Sequence, residues 1–145
     1  MKSLDSWLTE YSESHRNPTN QWIHRICVPV ILWSVVGFFS LLRWPTNADS
    51  VWASGAGMGS VFALAFYLRL GLLPFVQMLL ILACFLFTCS LLESYQLHPL
   101  IWYITLFLLG WIGQAIGHVY EGKKPSFFKD VQFLLIGPLW ILKKH

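Results

Sequence analysis

Residues 72–92 read LLPFVQMLLILACFLFTCSLL and contain no charged side chain. A helix of about 20 residues is about 30 Å long, which matches the hydrocarbon core of a bilayer. Three further apolar stretches run over residues 23–44, 51–68 and 100–116. The stretch at 51–68 is the weakest candidate span, because it contains several small residues, which allow close helix packing but add little hydrophobicity. The pattern predicts an all-α integral membrane protein with four transmembrane helices.

The composition agrees with a membrane location. Hydrophobic residues make up 56% of the 145 residues and charged residues only 12%, whereas soluble domains carry roughly 25% charged residues. Lipid covers apolar surface that a small soluble domain has no interior to bury. We therefore expect one membrane-embedded domain over residues 1–145. No basic stripe is interleaved with aromatics, so no nucleic-acid partner is expected.

A short amphipathic helix is predicted before the first span, over residues 4–14. Asn17-Pro18 should end it, because a residue that precedes proline avoids the helical region. Thr19 or Asn20 is then predicted to cap the next helix. The apolar positions at helical spacing are Leu4, Trp7, Leu8 and Tyr11.

The last apolar run, over residues 131–142, is too short to cross a bilayer. Gly137-Pro138 interrupts it. Irregular backbone at membrane depth is tolerated only where protein or water surrounds it. The run is therefore predicted to be an interfacial or re-entrant segment.

Lysines and arginines divide unevenly between the two sides of four spans. Nine lie on one side and Arg43 alone lies on the other. Cytoplasmic segments carry the excess of Lys and Arg, so both termini are expected in the cytoplasm. An odd number of spans would spoil this division. The nine are Lys2, Arg16, Arg25, Arg69, Lys123, Lys124, Lys129, Lys143 and Lys144.

Four spans would bring His15, His24 and His118 to the same membrane face. On one continuous helix, His15 and His24 would point in opposite directions, because nine residues are two and a half turns. The break at Asn17-Pro18 allows both imidazoles to face one point. The alternative is that these histidines simply face water at the interface.

Gln114, His118 and Glu121 are spaced four and three residues apart, so they share one helix face. Polar residues at such depth usually face the bundle interior or a polar cavity. These residues either belong to a functional site or form inter-helical hydrogen bonds that stabilise the helix bundle. Three glycines beside this face allow close backbone approach: Gly110, Gly113 and Gly117.

Imidazoles and a carboxylate at one membrane face suit iron or zinc, and open coordination positions suit non-haem Fe²⁺ oxygen chemistry. A haem protein would carry its histidines on facing helices within the bundle, whereas these lie at one end. His98 falls on the opposite side and is predicted to be a helix-entry residue without a catalytic role. Glu93, on that same side, is predicted to lie in a solvated loop.

Two segments resemble a known family. Residues 15–29 contain His-x-Asn-Pro-x-Asn, then His24 and Pro29, and residues 110–125 contain Trp, Gln114, Gly-His118, Glu121 and a proline in order. These motifs, with Gln132 and Pro138, are similar to those of the 2-hydroxy fatty acid dioxygenases related to the yeast enzyme of phytosphingosine breakdown. The resemblance covers almost the whole chain, although the middle spans match only in hydrophobicity.

The resemblance implies Fe²⁺-dependent α-oxidation, in which a 2-hydroxy fatty acid and O2 give a fatty acid one carbon shorter. It implies His15, His24 and His118 as catalytic metal ligands. Glu121, Gln114 and Asn20 become candidates for a further ligand or for partners that hold the ligands.

Arg16 stands where the yeast relative has a second histidine, so a ligand is absent there. Arg16 or Arg25 is expected to pair with the substrate carboxylate.

Similarity to small bacterial members implies a bacterial inner membrane. The alternative function is a non-enzymatic membrane protein that binds lipid or assists assembly, and loss of bound iron on changing any one of the three histidines would argue against it.

Overall fold

The computed structural model describes residues 3–44, 50–95, 98–122 and 133–143. Across these ranges all regular structure is helical, apart from one isolated bridge between Arg43 and Ser54. The all-α expectation is therefore confirmed. Seven residues on which the predictions above depend lie outside the described ranges: Lys2, Pro125, Gln132 and four lysines at 123, 124, 129 and 144.

Three helices are long and apolar enough to cross a membrane: α2, α4 and α5. The mean hydropathy of their most apolar windows is 1.7, 2.4 and 1.6, respectively. α3 is apolar but has 16 residues, which corresponds to about 24 Å. Three spans are thus supported by length and composition, and the fourth stays a prediction. The helices are α1 (Leu4–Glu13), α2 (Pro18–Ser40), α3 (Gly55–Leu70), α4 (Leu72–Tyr95), α5 (Pro99–Glu121) and α6 (Gly137–Leu142).

The second apolar stretch forms a shorter helix than expected. Val51–Ala53 is a 3-10 turn, and Ser54 is extended, with its Oγ accepting the N–H of Ala56 at 3.2 Å. This N-cap starts α3 at Gly55, because the hydroxyl satisfies an N–H that the helix leaves open. At the other end Gly71 has φ 136°, a backbone conformation that favours glycine, and α4 begins at the next residue.

α2 begins at Pro18, earlier than the sequence analysis expected. The Oδ1 of Asn17 accepts the backbone N–H of Thr19 at 2.8 Å. Proline suits the first helical position, where its missing N–H has no intrahelical partner anyway. Asn17 is therefore the N-cap, and the prediction of Thr19 or Asn20 was wrong.

Residues 33–107 form one of two compact units in the chain. Here α3 packs against α4, and the indole N–H of Trp33 donates to Thr88 at 2.8 Å. The Glu93 carboxylate lies on α4 and accepts hydrogen bonds from the hydroxyls of Ser40 and Tyr103, while it pairs with Arg43. The prediction of a solvated loop at Glu93 was therefore wrong, because α4 extends past it and donors surround its carboxylate.

The other unit comprises Met1–Leu32 and Leu108–His145. In it α6 packs against α1, where the indole N–H of Trp140 donates to Ser12 at 2.8 Å. Pro138 lies in the first turn of α6. Gly137-Pro138 therefore starts this helix and does not interrupt it, in keeping with the preference of proline for first turns.

Candidate metal centre

Three imidazoles converge in the unit formed by the two ends of the chain. One ring nitrogen from each of His15, His24 and His118 lies within 4.8 Å of the other two. His15 lies at the corner between α1 and α2, His24 lies in the second turn of α2, and His118 lies in the last turn of α5. Each side chain is at most 4% exposed. The structure therefore brings together the three histidines that the sequence analysis singled out.

Backbone carbonyls fix which nitrogen of two of these rings carries hydrogen. The Nδ1 of His15 lies 2.7 Å from the carbonyl of Tyr11, and the Nδ1 of His24 lies 3.0 Å from the carbonyl of Asn20. A carbonyl oxygen only accepts, so each Nδ1 donates. In the neutral ring the Nε2 then keeps its lone pair, as a metal ligand requires.

Aromatic rings enclose the cluster on the side of α1 and α6. Tyr11 stacks flat on His15, with ring centroids 4.1 Å apart and an interplanar angle of 3°. Trp140, which is fully buried, lies 5.6 Å from His15 between ring centroids. These rings cover the imidazole cluster on one side. Neither ring was among the site residues predicted from the sequence, although Tyr11 lies one helical turn before His15.

Glycines on α5 let it approach α2 closely beside the histidines. A Cβ added at Gly117 would lie 2.4 Å from the Oδ1 of Asn20 and 3.3 Å from the ring of His24. A Cβ at Gly113 would lie 2.5 Å from the Sγ of Cys27. Small residues at this four-residue spacing are typical of tightly packed membrane helices. The close approach that the sequence predicted for these glycines is therefore confirmed.

Glu121 holds the corner between α1 and α2. Its Oε1 accepts the backbone N–H of Arg16 at 2.9 Å, and its Oε2 accepts the backbone N–H of Asn17 at 2.9 Å and the Nδ2 of Asn20 at 3.0 Å. Glu121 does not belong to the group of converging ligand atoms. Its carboxylate instead neutralises the N-terminal end of α2, where the helix dipole favours negative charge.

Asn20 links this corner to the imidazoles. Its backbone carbonyl accepts from His24, and its side-chain Nδ2 donates to Glu121. The side chain is fully buried, and no described residue donates to its Oδ1. One asparagine therefore orients a candidate ligand and anchors the carboxylate of Glu121.

The two candidate arginines occupy different surroundings. The side chain of Arg16 is exposed, while its backbone N–H is bonded to Glu121. The guanidinium of Arg25 lies 5.0 Å from the ring centroid of Trp22, whose side chain is 63% exposed. Within the described ranges, the Nε of Arg25 is buried without a hydrogen-bond partner. A Trp-Arg pair of this kind suits the headgroup level of a membrane.

The donor set fits a divalent transition metal. Two bonds of about 2.1 Å span at most about 4.2 Å, so donor atoms within 4.8 Å of one another are close to bonding separation. Imidazoles suit iron, zinc, copper and nickel, and three protein ligands leave positions open for other molecules. The arrangement can therefore hold a metal ion and a chelating ligand together.

A comparison with protein families matches the 2-hydroxy-palmitic acid dioxygenase Mpo1-like family over residues 1–145. The chain is also similar to the 2-hydroxy-palmitic acid dioxygenase MPO1 of Saccharomyces cerevisiae. The two are 36% identical over 143 residues, which cover 96% of this chain and 77% of the yeast protein. No solved structure matches the chain.

Proposed function

Because the chain belongs to the Mpo1-like family, we propose that it is an Fe²⁺-dependent dioxygenase that shortens 2-hydroxy fatty acids by one carbon. The observation that carries this proposal is the cluster of His15, His24 and His118. The similarity to a named dioxygenase supports the proposed reaction class, and the buried imidazole cluster supports these three histidines as its site.

The overall reaction balances without a further reductant. A 2-hydroxy acid and O2 give the acid one carbon shorter, CO2 and water, so the substrate supplies all four electrons that O2 takes up. Ferrous iron, when bound, provides open positions for the hydroxy carboxylate and for O2. No second organic substrate is required.

The residues of this chain would hold the metal ion, orient the imidazoles that bind it and cover the cluster on one side. The hydrogen bonds from His15 and His24 to backbone carbonyls keep their Nε2 atoms available. Tyr11 and Trp140 cover the cluster on one side. Glu121 and Asn20 position the corner that carries His15, as partners behind a metal-binding imidazole commonly do. Their role as direct ligands is less favoured, because the Glu121 carboxylate already accepts three hydrogen bonds.

Arg16 and Arg25 are proposed to attract and pair with the substrate carboxylate. Both lie near the histidines in the sequence and both carry a permanent positive charge. Arg25 beside the exposed ring of Trp22 suits the membrane interface, where the carboxylate of a fatty acid resides. The acyl tail would then stay in the apolar region among the spans.

The proposed location is a bacterial inner membrane, with four spans and both termini in the cytoplasm. Four spans require α3 to cross although it is short. The uneven division of Lys and Arg supports an even number of crossings. The three longer apolar helices support the membrane location itself.

The reaction is tested with purified protein, Fe²⁺ and O2, with 2-hydroxypalmitate and palmitate as parallel substrates. We expect a shortened acid from 2-hydroxypalmitate only, because palmitate lacks the hydroxyl needed for chelation. Equal consumption of both acids would refute chelation. A protein that binds fatty acids but neither holds iron nor consumes O2 would fit the non-enzymatic alternative instead.

A further inference from the structure

Gln114 is a largely buried polar residue of α5. The residue is 6% exposed as a whole, while its side-chain amide keeps contact with solvent and forms no hydrogen bond with a described residue. An amide in this position has only water to bond with, and a ligand that carries a hydroxyl can replace that water while keeping the amide paired. Gln114 lies one turn from His118 on the same face of α5. A ligand at the histidine cluster is therefore a candidate hydrogen-bond partner for this amide.

The amide faces a small cleft beside the imidazoles. Gln114, His24 and Tyr11 line this cleft, and the remaining walls are apolar and come from Val28, Trp111, Phe133 and Leu134. The volume open to the centre of a water-sized molecule is about 10 Å³, which is roughly what one water needs. The cleft is therefore large enough for one small substituent such as a hydroxyl.

We propose that this cleft is the subsite for the 2-hydroxyl of the substrate and that Gln114 is the residue that recognises it. The identity of the ligand rests on the proposed function. The hydroxyl donates to the Oε1 of Gln114 while its oxygen remains directed towards the imidazole cluster. A neutral amide with apolar walls suits a neutral hydroxyl, whereas a carboxylate is better held by Arg16 or Arg25.

A site built to hydrogen-bond a hydroxyl rejects analogues that lack it, because their binding leaves its polar group unpaired. Gln114 is thus a specificity-determining residue. It would discriminate 2-hydroxy acids from plain fatty acids independently of how tightly the histidines hold a metal.

The first test is the thermal stability of ligand-free Gln114→Leu. Removing an unpartnered amide should leave the melting temperature unchanged or raise it. The matched control is Ser12→Ala, which removes the acceptor of the Trp140 indole N–H and should lower the melting temperature. If Gln114→Leu lowers it as much as the control does, Gln114 is structural and the proposal fails.

The second test compares the Kd values of 2-hydroxypalmitate and palmitate in anaerobic, Fe²⁺-loaded protein. Wild type should bind the hydroxy acid more tightly than palmitate. In Gln114→Leu the ratio of the two Kd values should fall by about tenfold, which is the effect of one hydrogen bond. Gln114→Asn should retain part of it, and metal content should not change. An unaltered preference in Gln114→Leu, or no preference in wild type, would overturn the subsite.

These outcomes separate the two proposals. A wild-type protein that prefers the hydroxy acid but does not shorten it on exposure to O2 would contradict the proposed function. In that case a weakened preference in Gln114→Leu would still support the subsite.

Discussion

The carboxylate of Glu121 accepts the backbone N–H of Asn17 across 104 residues of sequence, at 2.9 Å. Asn17 caps α2, and its own side-chain Nδ2 donates to the carbonyl of Tyr120 at 3.0 Å. The beginning of α2 and the end of α5 are therefore joined by several hydrogen bonds, all donated from the α2 side and accepted at the end of α5. His15 lies just before α2, and His118 lies in the last turn of α5. This junction therefore sets the distance between two candidate metal ligands.

Replacing Glu121 should loosen the metal centre. Glu121→Ala removes the acceptor of three hydrogen bonds, and the loss of such supporting partners typically weakens metal affinity by about 10–100-fold. Glu121→Gln should have a smaller effect, since one amide oxygen still accepts. Affinity would be measured by titration with Co²⁺ or Zn²⁺. Val119→Ala, at a side chain 78% exposed on the same helix, is the control. Wild-type affinity in Glu121→Ala would remove the proposed positioning role.

The glycines of α5 should resist even a methyl group. Gly117→Ala would bring a Cβ to 2.4 Å from the Oδ1 of Asn20, which is buried and tied to Glu121. Overpacking of this kind typically costs about 1–3 kcal/mol. Gly59→Ala is the control, because a Cβ there meets nothing within 4 Å. Thermal unfolding should show a loss for the first variant only, and equal melting temperatures would mean that α5 and α2 are not in close contact.

Each of the three histidines should be needed for metal binding. His15→Ala, His24→Ala and His118→Ala should each remove the ion from purified protein, because two remaining imidazoles form a weak site. His98→Ala should retain it, since the His98 side chain is exposed and belongs to a different unit. Elemental analysis of anaerobically purified protein reports the metal content directly. One ion per chain in any of the three variants would show that the ligand set is incorrect.

Four spans predict opposite locations for two reporter fusions, one at residue 47 and one at the C-terminus. If α3 does not cross, the chain has three spans and both reporters lie on the same side. The charge asymmetry favours the first result. The test is sharp because α3, with 16 residues, is the helix whose length leaves the question open.

Local patterns in the sequence predicted the helices, the glycine contact and the convergence of the histidines. Each depends on spacing along one helix or on the parity of the spans. The sequence did not show that Glu121 accepts from Asn17, or that Glu93 pairs with Arg43, because these contacts join residues far apart in the chain. The N-cap of α2 was missed for another reason: proline at the first helical position makes the preceding residue the cap.

The proposed shortening of 2-hydroxy fatty acids at the histidine cluster is tested most directly with ¹⁸O2. Purified Fe²⁺-loaded protein would be given 2-hydroxypalmitate under ¹⁸O2, and the products analysed by mass spectrometry, with His118→Ala and His98→Ala in parallel. We expect a fatty acid one carbon shorter that carries one ¹⁸O atom, formed by wild type and His98→Ala but not by His118→Ala. No shortened acid from wild type, or an undiminished yield from His118→Ala, would contradict it.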